Sequence, residues 1–226
     1  MNSAGLVVVL LGPPGVGKGT QGIRLSRDLG WAHVSTGDLL RQARRDGTPL
    51  GKQAQAYMDE GELVPDGLII DLVKDHLSGL ASTQGVVFDG FPRTVPQAEA
   101  LDEALPEVGR RVDHVVLLEA DPDVLFKRIS GRRSSPNGRV YNVYFDPPAV
   151  EGICDETGEA LVHRVDDEAE TVRTRLTVYE EQTAPLVGFY DMRDGLVKRV
   201  NGQGTMDAVQ TAIRDQVGAA QGETSG

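Results

Sequence analysis

The run Gly12-Pro13-Pro14-Gly15-Val16-Gly17-Lys18-Gly19-Thr20 has the residue types and spacing to hold phosphate. Glycines let successive backbone N–H groups turn inward around an anion. A helix beginning at Lys18 would add the positive end of its dipole. Lys18 supplies a mobile cation for outer phosphates, and the Thr20 hydroxyl falls near phosphate or a magnesium ion. The usual pattern places Ser or Thr directly after the lysine. Here Gly19 intervenes, which points to a subgroup of phosphate-loop proteins.

Three further clusters could complete such a site. Asp89-Gly90-Phe91-Pro92-Arg93-Thr94, with Gln97 shortly after, follows an apolar run. At the carboxyl end of a parallel strand Asp89 would face the phosphate loop, where a carboxylate can hold magnesium directly or through its waters. Arg93 offers a planar fork to a phosphate, and Gln97 an amide able to read the Watson–Crick edge of a base. Alone, either side chain would be read as solvated; the hexapeptide at that position is the stronger signal. In Ser35-Thr36-Gly37-Asp38-Leu39-Leu40-Arg41, Ser35 or Thr36 could cap a helix, and Arg41, a turn later, could point at a phosphate. Capping and phosphate binding fit that pattern equally. Arg128, Arg132 and Arg133 precede an irregular stretch, and Arg139, Arg164, Arg173 and Arg175 follow. Such arginines could surround a transferring phosphoryl group. They could also be surface partners of Asp166, Asp167, Glu168 and Glu170.

Those clusters need a scaffold that converges on one edge. Short apolar runs at Leu6–Leu11, Ala32–Val34, Val86–Asp89, His114–Glu119 and Leu196–Val200 alternate with segments of helical period. That alternation predicts an α/β fold, with five parallel strands covered by helices on both faces. A helix over Asp167–Gln182 should break or restart at Pro185. Gly131–Asp167 departs from the rhythm: it is rich in Gly and Pro and carries β-prone pieces at Arg139–Tyr144 and Ala160–His163, as an insertion built on hairpins would. A second, helical insertion is expected between Ser35 and Val64. The tail from Gly218 to Gly226 reads as frayed.

Composition bounds the partners. A formal net charge of −11 over 226 residues argues against a nucleic-acid polymer. No apolar run approaches the ~20 residues that cross a bilayer, and the first five residues lack the basic segment of a signal peptide. A single cysteine, Cys154, rules out an internal disulfide. The expectation is a cytoplasmic monomer.

Taken together the motifs resemble the adenylate kinase family, in its bacterial long-lid form. The resemblance rests on Gly12 to Gln21, Ser35-Thr-Gly-Asp38, Asp89 to Thr94, Gly131-Arg-Arg133, Gly138-Arg-Val-Tyr141, Pro147-Pro148, Val150-Glu-Gly152 and Glu170-Thr-Val-Arg173, in family order. It implies a phosphate-loop core (1–34, 65–130 and 168–226), a monophosphate domain (35–64) and a lid (131–167). It implies that Gly15, Val16, Gly17, Lys18, Gly19, Thr20, Arg128, Arg132, Val140, Tyr141 and Gly204 bind ATP. It places AMP against Thr36, Arg41, Glu62, Leu63, Val64, Gly90, Phe91, Pro92, Arg93 and Gln97, with Arg164 and Arg175 bridging to the ATP phosphates. Lys18, Arg93, Arg132, Arg164 and Arg175 would be catalytic, and Asp89 would hold Mg2+ through water. The implied reaction is Mg-ATP + AMP giving two ADP.

Two positions depart from the family pattern. The lid corners that carry zinc-binding cysteines in some members read Ser134-x-x-Asn137 and Cys154-x-x-Thr157, so no structural zinc is expected, and Cys154 should be a partly exposed free thiol. Glu62 stands where members often carry lysine. Two other readings compete: a kinase of pyrimidine monophosphates, against which Thr36 and Gln97 argue, and a nucleotide sensor without turnover, against which the arginine set argues.

Overall fold

Each run of aliphatic residues becomes a strand whose alternate side chains enter opposite layers. The computed structural model describes residues 5–218 apart from Ser82; most of the tail expected to fray therefore lies outside the described residues. The strands are β1 (Val7–Leu11), β2 (Ala32–Ser35), β3 (Val86–Asp89), β4 (His114–Glu119), β5 (Arg132–Ser134), β6 (Val140–Asn142) and β7 (Val197–Asn201). The helices are α1 (Lys18–Leu29), α2 (Thr36–Arg45), α3 (Pro49–Glu60), α4 (Asp66–Ser78), α5 (Val95–Glu107), α6 (Pro122–Ser130), α7 (Ala169–Val178), α8 (Pro185–Asp191) and α9 (Met206–Gln216).

Five strands form one parallel sheet in the order β2-β3-β1-β4-β7. Val7, Val9 and Leu11 of β1 enter a core shared with α4, α5 and α8, whereas Val8 and Leu10 enter a second core shared with α1, α6 and α9. Both faces are thus covered, which is why β1 reads as an unbroken apolar run. Each of these fully buried Val or Leu side chains contributes about 1.5–3 kcal/mol.

The register sets up the site. Leu10 of β1 pairs with Asp89 of β3, and Asp89 pairs in turn with Ser35 of β2. The carboxyl ends of three strands therefore deliver the glycine-rich loop, Asp89 and Ser35-Thr36 to one edge of the sheet. Ligands of open α/β sheets bind at such an edge.

The two insertions form as expected in kind. In the first, α2 and α3 pack closely: a Cβ at Gly51 would stand 2.2 Å from the Ala43 carbonyl oxygen. In the second, β5 and β6 form an antiparallel hairpin in the register Arg132↔Asn142, Arg133↔Tyr141 and Ser134↔Val140. The predicted β-prone pieces shrink to Val140–Asn142 and to isolated bridges, Ser134↔Val162 and Ile153↔Ala160.

Three expectations need correction. Cys154 is free but only 1 % exposed, because its thiol sits inside the lid beside the Tyr141 hydroxyl at 3.6 Å. The serine turned into the lid interior with it is Ser135, 6 % exposed, whereas Ser134 is occupied by strand pairing. The helix predicted over Asp167–Gln182 is instead a 3-10 turn at Val165–Asp167, then α7, then a wide π turn at Tyr179–Thr183, before α8 restarts at Pro185. Pro185 lacks an N–H and its ring would strike a carbonyl of the preceding turn, so the chain widens there and begins a new helix with proline at its first position. Among the described residues no helix is long and apolar enough to cross a membrane.

Candidate active site

The loop between β1 and α1 closes on Lys18. Its ammonium donates to the carbonyls of Gly12 at 2.6 Å and Pro13 at 2.9 Å, inside the turn that the loop amides line. Burial takes the Lys18 ammonium down from its ordinary 10.5 to about 7, against the pull of Asp89 in the other direction. Neighbouring Arg93, Arg175 and Arg132 push the same way as burial. The residue that interrupts the usual motif lies close to the acid: a Cβ on Gly19 would stand 3.2 Å from Asp89 Oδ2, so the carboxylate would have to give way by a few tenths of an ångström.

Asp89 ends β3 directly opposite. Burial alone would raise its pKa, but His33, Lys18 and Arg93 outweigh it and hold the carboxyl below its ordinary value. His33 Nε2 lies 3.7 Å from Asp89 Oδ2. Nothing in the sequence marks His33, which sits within a short strand and has no motif around it. Among the described residues no group of three or more His, Cys, Asp or Glu side chains is placed to hold a metal ion. One ionised carboxylate beside a phosphate loop suits an ion that takes most of its ligands from phosphate and water, as Mg2+ does.

Next to Asp89 opens a cleft that is continuous with solvent. Of the residues expected there, Thr36, Arg41, Glu62, Leu63, Val64, Gly90, Arg93, Gln97 and Arg175 line it. Phe91, Pro92 and Arg164 do not: Phe91 and Pro92 are buried, and Phe91 packs in the core with its ring centroid 6.0 Å from that of Phe88. The alternatives for Ser35 and Thr36 also resolve. Ser35 caps α2 by accepting from the Asp38 amide, while the Thr36 hydroxyl donates to the Gly90 carbonyl at 2.7 Å. Arg93 Nε donates to the same carbonyl at 2.9 Å, and Arg41 is braced by Asp38 at 2.7 Å.

The arginines at the roots of the lid divide into two groups. Arg132 makes a two-pronged contact with Asp167, donating from Nε at 2.7 Å and Nη2 at 2.5 Å. Arg175 Nη1 donates to Asp167 Oδ1 at 3.1 Å, to Asp166 Oδ2 at 3.1 Å and to the Asp166 carbonyl at 2.7 Å. Asp167 is fully buried. These two acids therefore brace the arginines within the cleft rather than at the surface. Arg139 and Arg173 stay outside it: Arg139 pairs with Asp146 and lies over the Tyr141 ring, and exposed Arg173 pairs with Glu170.

The remaining cations crowd one another. Burial first, and then Arg175, brings the Arg93 guanidinium down to about 10. Burial, then Arg132 and Arg41, does the same to Arg164. Arg164 thus feels Arg132 on the loop side and Arg41 on the cavity side. Arg132 alone moves upward, because its bonds to Asp167 outweigh its burial. The arrangement is a cleft of like charges that a polyanion would relieve.

At the outer end of the loop, Arg128 Nη1 donates to the Gly202 carbonyl at 2.8 Å and to the Val16 carbonyl at 3.3 Å. Arg128, the loop and the segment carrying Gly204 thus form one wall. Val140 is exposed on the lid, whereas Tyr141 is 2 % exposed and turns inward, its hydroxyl accepting from the Asp155 amide at 3.0 Å. The Tyr141 side chain belongs to the lid interior, so any contact of this residue with ATP would come from its backbone. The lid corners Ser135, Asn137, Cys154 and Thr157 offer one thiol among neutral hydroxyl and amide groups. Asn137 is bonded to Glu156 and Thr157 to the Glu159 amide, so this donor set does not fit zinc.

A family model described as adenylate kinase matches residues 10–195. Three curated relatives carry the name adenylate kinase. One, from Methanothrix thermoacetophila, is 47 % identical over 202 residues, covering 89 % of this chain and 94 % of its own. Another, from Bacillus subtilis strain 168, is 48 % identical over 212 residues, covering 93 % and 97 %. A third, from Thermodesulfovibrio yellowstonii, is 49 % identical over 207 residues, covering 91 % and 96 %.

Proposed function

The chain belongs to the adenylate kinase family and catalyses reversible phosphoryl transfer from ATP to AMP, giving two ADP, and we propose that this transfer runs between the glycine-rich loop and the cavity beside Asp89. The observation that carries the assignment is the crowd of half-buried cations. Lys18, Arg93, Arg132, Arg164 and Arg175 repel one another and are depressed or braced accordingly. Two nucleotides meeting end to end bring the negative charge such a cleft lacks.

In this reading the loop amides from Gly15 to Thr20 and Lys18 grip the ATP phosphates, and Arg128 with the Gly204 segment flanks its adenine. Thr36, Arg41, Val64, Gly90 and Arg93 receive AMP, and the Gln97 amide reads its base. Arg164 and Arg175 face both phosphate groups. Mg2+, entering with ATP and held through water by Asp89, would neutralise phosphate charge. Attack comes from an AMP phosphate oxygen on the γ-phosphorus of ATP, with ADP leaving in line. The protein's part is positioning and charge stabilisation rather than covalent chemistry.

Residues 35–64 and 131–167 act as closing domains that keep water from the reacting phosphorus. The chain works as a cytoplasmic monomer, without zinc and without nucleic-acid or membrane partners. Incubation with Mg-ATP and each nucleoside monophosphate, followed by separation of the products, tests the reading. ADP from AMP supports it; absence of any diphosphate from AMP, or preferential turnover of CMP or UMP, contradicts it.

A further inference from the structure

The Gln97 carboxamide lines the cavity, is 2 % exposed and is held at both ends. Its Oε1 accepts from the Arg93 backbone N–H at 2.8 Å, and its Nε2 donates to Asp66 Oδ1 at 2.6 Å. The other Asp66 oxygen accepts from the Thr94 hydroxyl at 3.0 Å, and Thr94 in turn caps α5 by accepting from the Gln97 backbone N–H at 3.3 Å. Asp66, at the first position of α4, therefore ties the starts of two helices to the amide between them.

The partners dictate which way the amide points. An ionised carboxylate only accepts, and a backbone N–H only donates. Turning the Gln97 amide over would set Oε1 against Asp66 and Nε2 against the Arg93 N–H. What remains for a ligand is one Nε2 hydrogen and one Oε1 lone pair, in a fixed order. A 6-aminopurine presents a ring-nitrogen acceptor beside an amino donor. A 6-oxopurine presents the reverse, a ring N–H donor beside a carbonyl acceptor. A carboxamide free to turn over would serve both; one that cannot turn serves a single class.

We propose that Asp66 is the residue that makes the monophosphate site select 6-amino over 6-oxo purines, by locking the Gln97 carboxamide in one orientation. It is a positioning residue, and its role rests on reading the cavity as the monophosphate site. No sequence pattern marks it, since an aspartate at the start of a helix is what dipole and capping preferences favour anyway.

The test compares kcat/KM for AMP and for inosine monophosphate, with Mg-ATP as donor. In the unaltered chain IMP should be used at least about 100-fold less efficiently, as expected when buried polar groups are left mispaired. Asp66→Asn keeps the shape but can accept or donate toward Gln97. The AMP-to-IMP ratio should then fall by about tenfold or more, the worth of one charge-assisted hydrogen bond, while KM for ATP stays within about twofold. Thr94→Ala removes the α5 cap but leaves the Asp66–Gln97 bond, and should lower stability without moving the ratio. An unchanged ratio in folded Asp66→Asn, or an equal fall in Thr94→Ala, overturns the proposal. So does equal use of AMP and IMP by the unaltered chain, a result that needs no variant. Failure of the cavity assignment itself would show differently, as a KM for AMP left unchanged by Arg41→Ala, a residue that lines the cavity.

Discussion

Replacing Asp167 by asparagine should separate structural bracing from catalysis in one variant. Asp167 is fully buried and accepts from Arg132 at 2.7 and 2.5 Å and from Arg175 at 3.1 Å. The two guanidinium side chains are themselves only 21 % and 20 % exposed. In Asp167→Asn the side chain would keep one acceptor but turn an N–H toward Arg132, leaving two cations without their shared carboxylate. Breaking a buried pair costs about 3–5 kcal/mol. Asp166 still holds Arg175 at 3.1 Å, and one acceptor survives, so about 2–3 kcal/mol is the expected loss. At roughly 2–4 °C per kcal/mol for a chain of this length, the unfolding midpoint should fall by about 4–12 °C. Calorimetry with and without saturating ATP and AMP tests the electrostatic cause. Nucleotide phosphates replace the missing charge, so the gap between variant and parent should narrow when both are bound. A midpoint within about 1 °C of the parent, or a gap that nucleotides do not narrow, would refute bracing by Asp167.

Lys18→Met should fold and lose about 100- to 1,000-fold in kcat, the usual effect of removing one preorganised contact to developing charge; near-parental kcat in the folded variant would rule that contact out. Its ammonium titrates at about 7 in the folded chain against 10.5 when unfolded, so its charge opposes folding most fully below pH 7 and ceases to do so above 10.5. The methionine variant should therefore be at least as stable as the parent at pH 6, with the advantage fading toward pH 10; a large loss at pH 6 would contradict that sign. The same depressed value predicts that ATP binding takes up protons at Lys18, because phosphate restores the ammonium, and that the uptake is larger at pH 8 than at pH 6. Calorimetric titration in buffers of different ionisation enthalpy measures the uptake, and equal values at the two pH levels would exclude Lys18 as the titrating group.

Much of this site is legible in the sequence because it is local. The glycine-rich loop, Asp89 and Arg93 announce themselves by backbone demands and by their place after apolar runs, and the buried runs themselves map onto β1, β3 and β4. Partners that meet across the fold are not legible. In a chain of net charge −11, Asp166 and Asp167 look like any surface acids; only the turn at Val165–Asp167 carries Asp167 beneath the lid arginines. Asp66 reads as an ordinary helix-start residue until the register of α4 against α5 sets it beside Gln97. Tyr141 and Cys154 escape an inward assignment because Tyr141 lies on a strand too short to show an inner and an outer face and Cys154 lies outside any strand. Phe91 joins the expected site through its motif neighbours, although its size suits the core where it packs.

Within the arginine-walled cleft the phosphoryl group should pass directly from one bound nucleotide to the other. The stereochemical course of transfer tests this most directly. ATP made chiral at the γ-phosphorus with oxygen isotopes and sulfur should yield ADP, formed from AMP, with inverted configuration, the mark of a single in-line displacement. Retention of configuration would mean two successive displacements through a phosphorylated side chain, and would contradict direct transfer.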